Sequence, residues 1–180
     1  MNIHNHCIST AQQIASPNFD QRPDPEDISL LVIHCISLPP QQFGGDYIAQ
    51  LFCNRLDPED DPYFKQIYRL KVSAHLLIRR DGEMIQFVPF DRRAWHAGQS
   101  CFAGRDRCND FSIGIELEGC ESTPYSDEQY QQLAAVTRLL LENYPGLNKQ
   151  AIAGHSDIAP GRKTDPGPSF DWDRLLSLLD

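Results

Sequence analysis

The sequence has no apolar run approaching the roughly 20 residues that a membrane-spanning helix requires. It has no surplus of basic charge: Lys and Arg total 16 against 25 Asp and Glu, a formal net charge of −9. Nucleic-acid binding, driven by the neutralisation of phosphates, is disfavoured on that ground. The missing polybasic cluster likewise argues against attachment to an anionic membrane. No CxxC pair accompanies the six cysteines, so a thiolate zinc knuckle is not expected. The N-terminal stretch lacks the basic n-region and the apolar h-region of a secretory signal. The expected location is therefore the cytoplasm, with all six thiols reduced. No internal repeat is visible, and no segment points to an obligate protein partner.

What is present is enough for one sizeable core. The chain has 180 residues, 41% of them hydrophobic and 23% charged, the balance of an ordinary globular domain. Residues 1–27 are polar and contain proline, and read as an N-terminal extended segment leading to a domain over residues 28–180. His4 and His6, in that segment, are assigned no role. "ISLLVIHCI" is a short, continuous apolar run rich in β-branched residues, as in a buried strand. Residues 37–62 form a long irregular crossing around one helical piece, "YIAQLFCNRL". Its position directly after His34 suggests a lid with Gly44 and Gly45 as hinge. Residues 73–90 read as a hairpin turning at Asp81-Gly82. Residues 111–119 are a further strand. Ser126 and Gln129 form a capping box at the head of the clearest helix, which stops at Pro145-Gly146. A short strand "QAIAGH" and a C-terminal helix follow. This order implies an α/β fold: a single domain with a central mixed sheet flanked by helices.

Side chains alternate between the faces of a strand. His34 shares a face with Leu30 and Val32. Glu116 shares one with Ser112 and Gly114, while Ile113, Ile115 and Leu117 fill the other. His155 shares a face with Ala151 and Ala153. Three strands thus each end in an ionisable group, and two of those faces are lined by small residues. Burying each group alone is costly, so a shared partner is the economical solution. A metal satisfies both histidines, and two His with one carboxylate is a pattern of catalytic zinc. Asp165, in the Pro- and Gly-rich stretch "AGHSDIAPGRKTDPG", suits the third position. Taken singly, each residue has an ordinary reading: a core histidine, an Asp-Pro-Gly turn, a solvated glutamate at a strand end. Together they point to a metal-hydrolase site.

"VIHCIS", "SAHLLIRRDG", "AWHAG", "RCNDFSIGIELEG" and "AGHSDIAPGRKTDPG", in this order, resemble the zinc-dependent N-acetylmuramoyl-L-alanine amidases, the family of phage amidase-type lysozymes and peptidoglycan recognition proteins. The resemblance spans roughly residues 15–180 and is closest to the cytoplasmic branch that acts on 1,6-anhydro-N-acetylmuramyl peptides. It implies one zinc ion per chain held by His34, His155 and Asp165, with Glu116 and Lys163 as the catalytic pair. Lys163 enters through the resemblance alone; as a residue it reads as a solvated lysine. The implied substrate is an anhydromuropeptide, cut between the lactyl carbonyl and L-alanine during peptidoglycan recycling. Tyr63, Trp95, Arg107 and Asn109 are the expected substrate contacts. His75 and His96 read as cleft-lining or structural. A muropeptide-binding protein without catalysis and a wall-lytic amidase are the alternatives. The full set of five site residues argues against the first, and the absent export signal and wall-anchoring repeats argue against the second.

Overall fold

The computed structural model describes all 180 residues. The first 27 form four short strands, β1 (Ile3–His4), β2 (Cys7–Ile8), β3 (Gln12–Gln13) and β4 (Phe19–Gln21). Then come β5 (Leu30–Ile36), the short helices α1 (Tyr47–Phe52) and α2 (Phe64–Ile67), β6 (Leu76–Ile78), β7 (Met84–Gln86) and β8 (Arg92–Ala94). The second half carries β9 (Cys101–Phe102), β10 (Arg105–Asp106), β11 (Ser112–Glu118), the long helix α3 (Asp127–Asn143), β12 (Ile152–Gly154), the one-turn α4 (His155–Ile158) and α5 (Trp172–Leu178).

Six strands, in the order β12-β5-β11-β6-β7-β3, make the mixed sheet that the sequence implies. β12, β5, β11 and β6 run parallel, and β7 returns antiparallel to β6. The return is made at Asp81-Gly82, where Gly82 has φ +85°, a conformation that glycine adopts without a Cβ penalty. On one face, Leu31 and Ile33 of β5 and Ile113, Ile115 and Leu117 of β11 pack with Leu133, Ala134 and Leu140 of α3. α3 begins at the expected reciprocal cap: the Ser126 hydroxyl accepts from Gln129 N–H, and the Gln129 side chain accepts from Ser126 N–H, both at 3.1 Å. On the opposite face, Leu30 and Val32 meet Phe111, Ala153 and Ile158, while Leu77 and Ile85 meet α1 and α2. The chain leaves β5 across this second face and leaves β11 across the first. Such a divergence opens a crevice at the carboxyl ends of parallel strands, the usual ligand position in an open α/β sheet.

Two expectations take sharper form on the fold. Residues 37–62 are anchored in the core at Leu38 and over residues 48–56, with Gly44 and Gly45, the expected hinge, exposed between these anchors. Leu38, Ile48, Leu51, Phe52 and Leu56 are buried in the cluster that contains Leu77, and Gly44 N–H donates to Glu118 Oε1 at 2.6 Å. The N-terminal segment is extended, yet it is bound along its length. Ile8 joins the main core, β3 pairs with β7 and β4 with β8, and His6 Nδ1 lies 3.0 Å from the Tyr144 hydroxyl. All six cysteines are free thiols. No helix is long and apolar enough to cross a membrane.

Candidate metal centre

β5 and β11 pair with His34 directly opposite Glu116. β12 pairs with the other edge of β5, Gly154 opposite Ile33, which brings the next residue, His155, level with His34. His155 does not end the strand, as its sequence neighbours suggest; it opens α4. Gly154 N–H donates to Asp157 Oδ2 at 2.7 Å, and this local bond turns the chain from strand into helix. Asp165 arrives on the following loop. The Arg162 guanidinium pins that loop by donating to the carbonyls of Ala97 and Gln99, both at 2.6 Å. The Thr164 hydroxyl donates to the Glu121 carboxylate, and Ser156 N–H donates to Asp165 O at 2.9 Å. Asp157, Arg162 and Thr164 had no role in the sequence; here they aim His155 and Asp165.

The three side chains converge. His34 Nδ1 is 3.0 Å from His155 Nδ1 and 3.1 Å from Asp165 Oδ2, and His155 Nδ1 is 3.2 Å from Asp165 Oδ2. Two ring nitrogens and a carboxylate oxygen are electron-pair donors, and three of them facing one point is a poor arrangement unless a cation lies between. Zinc bonds of about 2.0–2.1 Å in a tetrahedron set ligand atoms roughly 3.3 Å apart, so this triangle fits such an ion. The donor set, two imidazoles and one carboxylate, is also right in kind for zinc. His155 Nε2 faces the Ala97 carbonyl at 3.1 Å and His34 Nε2 faces His96 Nδ1 at 2.8 Å. Both rings are therefore held from behind with Nδ1 forward.

The electrostatics favour the binding forms. Burial pushes His34 down to about 4, against the opposing pull of its hydrogen bond to the Asp165 carboxylate, so the ring is neutral at neutral pH. Burial alone would raise the Asp165 carboxyl, but its hydrogen bonds to His155 and His34 and their charges hold it below the usual carboxylate range. Glu116 behaves oppositely. Burial first, and the Asp165 charge second, raise it well above the ordinary value, and Lys163 only partly offsets this. Its Oε2 is buried and has no hydrogen-bond partner.

The profile of the N-acetylmuramoyl-L-alanine amidase family matches residues 24–168. The chain belongs to this family. The 1,6-anhydro-N-acetylmuramyl-L-alanine amidase AmpD of Escherichia coli (strain K12) is 60% identical over 169 residues, which cover 94% of this chain and 92% of that protein. The solved structure of a selenomethionine derivative of AmpD superposes with a TM-score of 0.97 at 57% identity, over all of both chains. A more distant neighbour is the Escherichia coli amidase AmiD, solved in complex with the substrate anhydro-N-acetylmuramic acid-L-Ala-D-gamma-Glu-L-Lys. It has a TM-score of 0.62 and 30% identity over 84% of this chain and 57% of that one.

In this amidase the crevice is a cavity of about 590 Å³ beside the three converging side chains. Glu116, Lys163, Tyr63 and Trp95 all line it. Two expected substrate contacts do not. Arg107 lies outside the cavity lining, its guanidinium exposed and paired with Asp110 at 3.2 Å. Asn109 is buried, and its Oδ1 accepts from the N–H groups of His96 and Ala97 at 3.1 and 2.8 Å; its amide serves the backbone behind the site. The residue that sequence reasoning undervalued is His96. The signal was the small face formed by Ser112 and Gly114. That face is not empty space for a ligand but the seat of the His96 ring.

Proposed function

We propose that this chain hydrolyses the amide between the lactyl carbonyl and L-alanine of 1,6-anhydro-N-acetylmuramyl peptides, with one zinc ion held by His34, His155 and Asp165. The observation that carries the reading is the meeting of His34 Nδ1, His155 Nδ1 and Asp165 Oδ2 within 3.2 Å of one another, next to the unpartnered Glu116 Oε2. Zinc, when bound, supplies Lewis-acid chemistry that activates water and polarises a carbonyl near neutral pH. The chain's own groups do the rest. Glu116 takes the proton of the attacking water and returns it to the departing amine, a task suited to a carboxylate whose pKa is raised towards the working pH. The Lys163 ammonium, at the cavity mouth, faces the negative charge that develops on the carbonyl oxygen. Trp95 and Tyr63 give the cavity an aromatic wall for the sugar. In this reading residues 28–180 are the amidase domain and residues 1–27 a segment bound along it. The work is done in the cytoplasm on soluble fragments of wall turnover.

The test is direct. The purified protein should carry one zinc ion per chain. Mass spectrometry should detect release of the peptide from an anhydromuropeptide, and far slower release from intact peptidoglycan. Absence of zinc and of cleavage overturns the enzyme reading, and equal rates on the two substrates overturn the recycling assignment.

A further inference from the structure

His96 sits one layer behind the triangle of His34, His155 and Asp165. Its Nδ1 is 2.8 Å from His34 Nε2, and its Nε2 is 3.0 Å from Ser112 Oγ. The His34 and His96 rings meet edge-on, with centroids 4.9 Å apart and planes at 83°. A neutral imidazole has one N–H and one lone pair. For His34 to present a free lone pair at Nδ1, its proton must lie on Nε2 and be donated to His96 Nδ1. His96 must then carry its own proton on Nε2 and donate it to the Ser112 hydroxyl, which accepts. Only this arrangement leaves the metal-facing nitrogen of His34 open while pairing every other ring nitrogen in the chain.

We propose that His96 is a positioning residue for the metal site, fixing the tautomer and ring plane of His34 through a hydrogen-bonded chain that ends at Ser112. The inference rests on the proposed use of His34 as a zinc ligand through Nδ1.

Three further features fit this role. First, β11 is hollowed for the ring: a Cβ at Gly114 would stand 2.5 Å from the His96 ring carbon Cγ, a separation that real Cβ atoms essentially never show. Second, the backbone at 96 is pinned by Asn109 Oδ1, which accepts from His96 N–H and from Ala97 N–H. Third, the Ala97 carbonyl accepts from His155 Nε2. One short segment, "AWHAG", thus backs both histidine ligands, one through a side chain and the other through a carbonyl. Groups behind a metal ligand are generally worth roughly 10–100-fold in metal affinity.

The test compares zinc affinity, measured by competition with a chromogenic chelator, in wild type, His96→Leu, His96→Asn and Ser112→Ala. The tautomer of His34 is read in the zinc-free proteins from its ring 15N shifts. Asn places Oδ1 close to the position of histidine Nδ1 and keeps the acceptor; Leu does not. We expect His96→Leu to lose roughly 10–100-fold in zinc affinity, with His34 no longer confined to the Nε2–H form, and His96→Asn to recover most of both. Ser112→Ala, a small change on an intact strand, should show a milder loss in the same direction and gives the answer if His96→Leu does not fold. Wild-type affinity and an unchanged His34 tautomer in the folded variants overturn the inference. A wild-type protein that binds no zinc overturns the proposed function instead, so the two failures are distinct.

Discussion

Glu116 and His34 stand opposite each other on neighbouring strands, yet their chemistry diverges because only His34 has partners. Glu116 Oε2 has none, and its carboxyl holds its proton to higher pH in the folded chain than in the unfolded one. Between the two pKa values the unfolded chain binds fewer protons, so this residue makes stability fall as pH rises. The fall starts near the unfolded value of about 4.3 and continues through the raised folded one. Asp165 acts in the opposite sense: its folded pKa is depressed, and its contribution is lost as pH falls. Comparing wild type with Glu116→Gln at each pH isolates the first effect. The zinc-free variant should melt higher than wild type at neutral pH, with the gap closing towards acid. The zinc-loaded variant should lose turnover by roughly 10²–10⁴-fold. Melting curves from about pH 4 to pH 8, with turnover assays alongside, check both. A variant less stable than wild type at neutral pH contradicts the strained carboxylate, and retained turnover contradicts its catalytic use.

At the scale of elements, the site depends on the segment around Asn109, which joins the loop carrying His96 to the start of β11. Asn109→Ala would leave the His96 and Ala97 N–H groups without their acceptor. Unsatisfied buried groups cost about 1–3 kcal/mol each; because the His96 N–H is only partly buried, the combined loss should be about 2–4 kcal/mol. At roughly 2–4 °C per kcal/mol for a chain of this size, the melting temperature should drop by about 4–16 °C, with KM little changed. A raised KM at an unshifted melting temperature would return Asn109 to the substrate contacts where its motif had placed it. The place of Asn109 shows which features a sequence makes legible. The hairpin, α3 with its cap, the strands around residues 28–36 and 111–119, and the positions of His34 and Glu116 on them all follow from local chemistry or from alternation along a strand. The α4 start at His155 depends on a side-chain bond from Asp157, and the seat of His96 on a contact between distant segments. Ser112 and Gly114 announced that something sits on β11; only the packing of residues 95–97 over the strand says what it is.

The whole molecule is closed by its first residues. Arg22, 3% exposed, lies beneath the site with no carboxylate on its guanidinium. It donates instead to the carbonyls of Phe90, Asn109, Asp110 and Ser112, at 2.7–3.4 Å. Burial, the largest influence on it, brings its pKa down to about 10, which still leaves it charged at neutral pH. One cation thus ties the N-terminal segment to the end of β7–β8 and to the start of β11, the strand that carries Ser112, Gly114 and Glu116. His75, fully buried beside it, accepts from Gly114 N–H at 3.0 Å and links the same strand to the hairpin. If residues 1–27 were a separate tail, Arg22 would be dispensable. On this structure Arg22→Met, which keeps bulk but removes every donor, should cost about 3 kcal/mol from abandoned buried acceptors, or roughly 6–12 °C in melting temperature. Zinc affinity should fall with it, because Ser112 and Gly114 support His96. Removing only residues 1–2, which make few buried contacts, should leave both quantities near wild type. Equal melting temperatures for Arg22→Met and wild type would show that the site stands on the sheet alone.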